Sequence, residues 1–311
     1  MRAIRESFFL CAVSLAACGL TGGGSGSDSG GGGGGGEDHA VYDPAKALYD
    51  AGDCAGALAG FDQVWEEFPD SAKHDNAGYY RGYCRYALGD FEGAIGNLVE
   101  LLEVHPDTEF IDKAIYYTGR SRFELEDFAG ARDDLDLVWN DYPDSVKRDN
   151  AGYYRGRARY KLDDFQGAID TLVEMREAYP DSEYIDDAAY YTGRARYELG
   201  DYAGAVDDFL ASLAADPMGD QADKAQYRLG RSHYELADLE SAVTDFETHI
   251  SDYASSAYVD DSYYYEVRGY VDLGQCANAQ STLNEFAAAL PDSSKLPAAR
   301  TYYNGTCGMN M

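Results

Sequence analysis

The chain has 311 residues, a formal net charge of −31 and 45% apolar residues, 28 of the total being tyrosine. The length suits two average domains or one long repeat array, with enough apolar side chains for a continuous core. The acidity excludes a nucleic acid or an anionic bilayer surface as the main partner, because phosphates would be repelled.

In chain order, the first element is a leader. MRAIRES carries two arginines and FFLCAVSLAA is a short apolar run, the n- and h-regions of a secretory signal too short to span a bilayer. It ends in Leu15-Ala16-Ala17-Cys18, which resembles the lipobox of bacterial lipoproteins. That resemblance implies a signal peptide over 1–17, cleavage before Cys18, and a diacylglycerol on the Cys18 thiol as lipid anchor. The alternative is ordinary cleavage that leaves a plain thiol. Because Gly19 rather than Asp follows, the resemblance also implies export to the outer membrane, facing the periplasm. Residues 18–39 then form a Gly/Ser tether with a span of roughly 25 Å.

From residue 40 the sequence repeats. Gly52-Asp53 recurs as Gly89-Asp90, Glu126-Asp127, Asp163-Asp164, Gly200-Asp201, Ala237-Asp238 and Gly274-Gln275, always 37 residues on. Pro69, Pro106, Pro143, Pro180, Pro217 and Pro291 keep the same step, as do Ala57, Ala94, Ala131, Ala168, Ala205, Ala242 and Ala279. Each unit reads as two helices. Phe91, Ala94, Ile95, Leu98, Leu101 and Leu102 mark one helical face of a second helix. Gly89 suits the left-handed close of the helix before it, Asp90 its cap, and Pro106 its end. The stretch DNAGYYRG, written at 75–82 and again at 149–156, marks a duplicated pair of units; Asp75 or Asn76 is the expected cap of a first helix.

Gly82, Gly89, Phe91, Ala94 and Pro106 match the signature of the tetratricopeptide repeat (TPR), and the chain resembles the TPR lipoproteins of bacterial envelopes. Similar groups are the TPR lipoprotein of the β-barrel assembly machine and the TPR partner of the Tol–Pal system. The implied fold is all-α: a right-handed superhelical TPR solenoid of about seven 37-residue helix-turn-helix repeats over 40–307, plus a C-terminal capping helix and a short tail, 308–311. Arg85, Arg122, Arg159 and Arg196 stand where the repeat usually has a packing tyrosine, and are expected to form salt bridges instead.

In such repeats one face of the first helix lines a concave groove that takes extended peptides. Here positions i, i+4 and i+7 of that face are Tyr79, Tyr83 and Tyr86; Tyr116, Arg120 and Phe123; Tyr153, Arg157 and Tyr160; Tyr190, Arg194 and Tyr197; Tyr227, Arg231 and Tyr234. In the Tyr-Tyr pairs the first member is expected in the groove and the second, such as Tyr80 or Tyr154, in packing. The alternative is that all these aromatics pack between repeats. Charge is segregated too. Six 13-residue first-helix windows hold 15 Lys+Arg and 7 Asp+Glu, a net of +8; six 16-residue second-helix windows hold 2 and 23, a net of −21. A basic, tyrosine-rich face within an acidic chain suits interface anchors.

Cys54 and Cys276 each begin a second helix, and Cys84 and Cys307 lie 30 and 31 residues on, late in the antiparallel helix that follows. Disulfides Cys54–Cys84 and Cys276–Cys307 are expected, one clamp at each end, in an oxidising periplasm; free thiols or a metal site are the alternative. The five histidines are scattered and no phosphate-binding glycine motif is present, so no enzyme, metal or cofactor is expected. The expectation is a lipid-anchored envelope protein that scaffolds other proteins or binds their peptides. Peptidoglycan or glycan binding on the tyrosine rows is the alternative.

Overall fold

A computed structural model describes residues 36–308, so the signal peptide, Cys18 and most of the tether lie outside the described residues. Fifteen helices occupy the described residues: α1 (Glu37–Asp50), α2 (Cys54–Glu67), α3 (His74–Ala87), α4 (Phe91–Val104), α5 (Ile111–Glu124), α6 (Phe128–Asp141), α7 (Arg148–Lys161), α8 (Phe165–Ala178), α9 (Ile185–Glu198), α10 (Tyr202–Ala215), α11 (Ala222–Glu235), α12 (Leu239–Asp252), α13 (Val259–Asp272), α14 (Cys276–Ala289) and α15 (Leu296–Thr306). They form seven pairs and a final helix. The first helix reaches back to Glu37, so residues 37–39, assigned above to the tether, are helical.

The turn inside each pair follows from its two signature residues. Gly52, Gly89, Glu126, Asp163, Gly200, Ala237 and Gly274 all have positive φ, between 59° and 82°. The next residue's N–H donates to the carbonyl five residues back, as from Asp90 to Arg85 at 2.9 Å, which closes the first helix in a Schellman turn. The side chains of Asp53, Asp90, Asp127, Asp164, Asp201 and Asp238 then accept the N–H three residues on. Gln275, which has no carboxylate, makes no such bond.

First helices are started differently. Lys73 caps α3 without a side-chain bond, so neither Asp75 nor Asn76 is the cap. Asp75 instead accepts the Thr108 hydroxyl from the next unit at 3.2 Å. The same tie joins Ser71 to Asp38, Ser182 to Asp149, Ser256 to Asp223 and Ser293 to Asp260. At these five junctions the loop Ser or Thr therefore pins one unit to the one before.

Between the helices of a pair runs a column one residue wide. Phe61, Leu98, Leu135, Leu172, Phe209 and Phe246 recur at 37-residue steps and are fully buried. A Cβ on Gly82 would stand 2.6 Å from Leu98, and one on Gly156 2.5 Å from Leu172. The glycines are thus required by close axial approach. Each helix packs on its neighbours in sequence. Successive first helices also touch one another, whereas second helices make no comparable packing with each other. First helices therefore form the inner layer of the curve.

At the C-terminal end Cys276 and Cys307 are bridged, with Cα atoms 5.5 Å apart. At the other end Cys54 and Cys84 are buried free thiols, their sulfurs 2.7 Å apart. The expected pairing of neighbours is present there, but as apposed thiols rather than a bridge.

A candidate binding face on the first helices

The first members of the Tyr-Tyr pairs, with Tyr227 at the same position, run against the expectation. Tyr79, Tyr116, Tyr153, Tyr190 and Tyr227 are all buried, Tyr153 at 2% exposure. They fill the junctions between units: Tyr79 stacks on Phe110 and Tyr153 on Tyr184, both at 4.5 Å, and Tyr227 on Tyr258 at 5.0 Å. Position i of the first helix faces the start of the next first helix, and little of these rings is left for a ligand. Of the second members, Tyr117 and Tyr191 are buried as expected, whereas Tyr154 and Tyr265 are half-buried and join the arginine row, which the helical spacing alone did not show.

That row is an alternation of guanidinium and ring. Arg120 lies 3.3 Å from the Tyr154 ring centre in the next unit and 6.0 Å from Tyr86 in the unit before. Arg157 lies 4.9 Å from both Phe123 and Tyr191. Arg194 is 4.7 Å from Tyr160, Arg231 is 4.1 Å from Tyr265, and Arg268 is 5.1 Å from Tyr234 and 4.8 Å from Tyr302. Each such contact contributes about 0.5–2 kcal/mol, more as it is desolvated. The Nε atoms of all five arginines are buried without a hydrogen-bond partner, as expected where flat faces rather than edges meet.

The carboxylates are unevenly shared. Arg120 pairs with Glu124 at 2.8 Å and Arg231 with Glu235 at 3.1 Å, while Arg268 bonds the Tyr302 hydroxyl. Arg157 and Arg194 make no ion pair among the described residues. Tyr83, Tyr86, Tyr197 and Tyr234 are half-buried beside the row, and Phe123 and Tyr160 are buried beneath it. Burial pushes the Tyr190 and Tyr197 hydroxyls up to about 12, so both remain protonated donors at neutral pH.

A second arginine set serves the opposite side of the same helices. Arg85 pairs with Asp62 and Asp90, Arg122 with Asp127 and Asp134, Arg159 with Asp136 and Asp164, and Arg196 with Asp201 and Asp208. The residues that replace the usual tyrosine thus bind first helices to second ones. Among the described residues no group of three or more His, Cys, Asp and Glu is placed to hold a metal ion, and no helix is long and apolar enough to cross a membrane.

Seven helix pairs, each with a left-handed turn and a small residue at the crossing and six of them with a capping Asp, define a tetratricopeptide-type solenoid. Solved structures agree. The C-terminal part of a TPR repeat-containing protein from Cytophaga hutchinsonii superposes with a TM-score of 0.67 at 16% identity, over 83% of this chain and 98% of that one. A tetratricopeptide repeat protein from Parabacteroides merdae gives 0.55 at 13%, over 86% and 98%. MamA from Desulfovibrio magneticus RS-1 gives 0.51 at 18%, over 60% and 98%. At such identities these likenesses speak to the fold. No curated protein matches the chain. The family described as YfiO, outer membrane lipoprotein, matches residues 35–189 and again residues 185–301. The chain belongs to this family of outer membrane lipoproteins.

Proposed function

We propose that the protein is a lipid-anchored scaffold, held at the outer membrane through Cys18 and facing the periplasm, whose first-helix face receives an extended segment of another envelope protein. The observation that carries this reading is the arginine–aromatic row running unit to unit, in which Arg157 and Arg194 make no ion pair among the described residues, Asp187 acting on Arg157 only from a distance. Desolvated guanidiniums held flat against rings are pre-organised to take a partner's carboxylates and aromatic side chains, the chemistry of interface anchors. Tyr83, Tyr86, Arg157, Arg194, Tyr197, Arg231 and Tyr234 would meet the segment, with Arg120, Phe123 and Tyr160 supporting them. The buried tyrosines at position i set the spacing of units instead.

Recovery of cross-linked partners from cells tests this. Full-length protein should recover a defined set of envelope proteins, and a protein with Arg157→Gln and Arg194→Gln together should lose it while keeping its helix content. Undiminished recovery would sink the reading. Retention on purified peptidoglycan, undisturbed by those changes, would move the function to glycan binding.

A further inference from the structure

The row has one break. Tyr80, Tyr117, Tyr154, Tyr191 and Tyr265 share a register position at 37-residue steps, and in the sixth unit Arg228 holds it. In the other units this residue is the ring that covers the arginine of the unit before: Tyr154 covers Arg120, Tyr191 covers Arg157 and Tyr265 covers Arg231. Arg194 has no such cover, because its place is taken by a second guanidinium. Arg194 and Arg228 share two neighbours, influencing the hydroxyls of both Tyr160 and Tyr190. Arg228 lies 5.6 Å from the Tyr197 ring and Arg231 6.0 Å from the same ring.

Arg194 and Arg228 thus act on the same two hydroxyls, and Arg228 and Arg231 flank the same ring, where the other units alternate cation and ring. Only Arg231 is compensated: its Nη2 donates to Glu235 at 3.1 Å and to the Tyr197 hydroxyl at 3.0 Å, and its Nη1 donates to the Tyr227 hydroxyl at 3.2 Å. The guanidiniums of Arg194 and Arg228 have no hydrogen bond or ion pair among the described residues, and the Arg194 Nε is buried and unpartnered. Like charges brought together in a partly desolvated place repel more strongly than they would in water, and an anion between them relieves this.

We infer that Arg194, Arg228 and Arg231 form a subsite for a carboxylate, which reads one acidic side chain of the extended segment. The inference rests on the reading of the first-helix face as a partner-binding groove. The occupant is a peptide rather than a bilayer or a nucleic acid because of the surrounding field. The second helices, with a net of −21 over six windows, repel any broad polyanion, whereas a single carboxylate on a narrow strand can reach the inner layer. Two guanidinium forks meet the two oxygens of one carboxylate in bidentate fashion.

The test uses full-length protein in detergent and an array of 12-residue peptides, in which every Asp- or Glu-containing member has an Asn or Gln counterpart. Affinities of the best pair are measured by fluorescence polarisation. The acidic member should bind about tenfold or more tightly than its amide. Arg228→Tyr, which restores the residue of the other units and so preserves the stack, should bring the two together while leaving the amide's affinity within about twofold. If acid and amide bind alike, or if Arg228→Tyr weakens both equally, the subsite is overturned and the groove reading survives. If no peptide binds, both fall. Arg228-dependent retention on phosphatidylglycerol vesicles, with no acid preference among peptides, also overturns it.

Discussion

Glu266 offers the sharpest measurement. Its register position holds Arg81 and Arg155 in two other units, where each is paired with a glutamate, and Thr118, Thr192 and Leu229 in three more. In the seventh unit a carboxyl occupies it, 6% exposed, accepting the Thr282 hydroxyl at 2.8 Å and facing no cation. Burial, with Glu247 and Glu285 nearby, pushes it from the usual 4.5 up to about 8. The folded state thus holds a proton that the unfolded chain releases near 4.5. Its stability is complete below 4.5, falls as pH rises, and has lost the whole contribution beyond about 8. At about 1.4 kcal/mol per pH unit over that span, the loss is on the order of 5 kcal/mol. Glu266→Gln keeps an acceptor for Thr282 and removes the titration. Calorimetric unfolding of the two proteins should agree near pH 4.5 and diverge steadily to pH 9, the glutamine variant being the more stable. A difference that is the same at both ends, or absent at both, would refute the account of a buried, uncompensated carboxyl.

Four further outcomes are expected. Gly156→Ala should cost about 1–3 kcal/mol, because its Cβ would stand 2.5 Å from Leu172. Gly96→Ala, in the same chain but with nothing within 4 Å, should instead stabilise by about 0.5–1 kcal/mol; urea titrations compare the two. Replacing Glu126, Asp163 and Ala237 by glycine should each stabilise by about 1 kcal/mol, since all three hold a positive φ against their side chains. Cys276→Ser should cost roughly 3–4 kcal/mol at the C-terminal end, read by urea titration of the oxidised proteins. His74 is stacked on Trp65 at 4.0 Å, its Nδ1 lies 2.6 Å from His105 Nε2, and burial holds its pKa below 6.5. The neutral form is the folded form, so stability is lost as pH falls through about 6.5. His74→Arg with His105→Tyr, the residues 74 positions on in the duplicate, should abolish that loss in acid titrations followed by Trp65 fluorescence.

The period of 37 was legible because every unit solves the same local problem. A helix must end at Gly89 or its equivalents, another must start at Asp90, and two axes must cross at Gly82 and Ala94. These needs are met by residue types within a few positions of each other, and they write themselves plainly into the chain. So did Cys276–Cys307, since an antiparallel neighbour is fixed once the helix pair is known. The caps of the first helices were misread: an Asp at 75 is as well suited to a tie with Thr108 of the next unit as to a cap, and only the distance between units decides.

The tyrosine pairs mark the limit most clearly. Sequence spacing puts Tyr79 and Tyr83 on one side of a helix, and correctly so. It does not say how far that side turns toward the next unit, which is a matter of the rotation between repeats. That rotation sends Tyr79 and Tyr153 into the junctions and brings Tyr154 over Arg120. The chain alone therefore determined the number of units, their turns and the segregation of charge, all set by contacts within one repeat. Which ring packs and which lies beside the arginines was decided between repeats, because the rotation of one unit on the next sets which side of a first helix is covered.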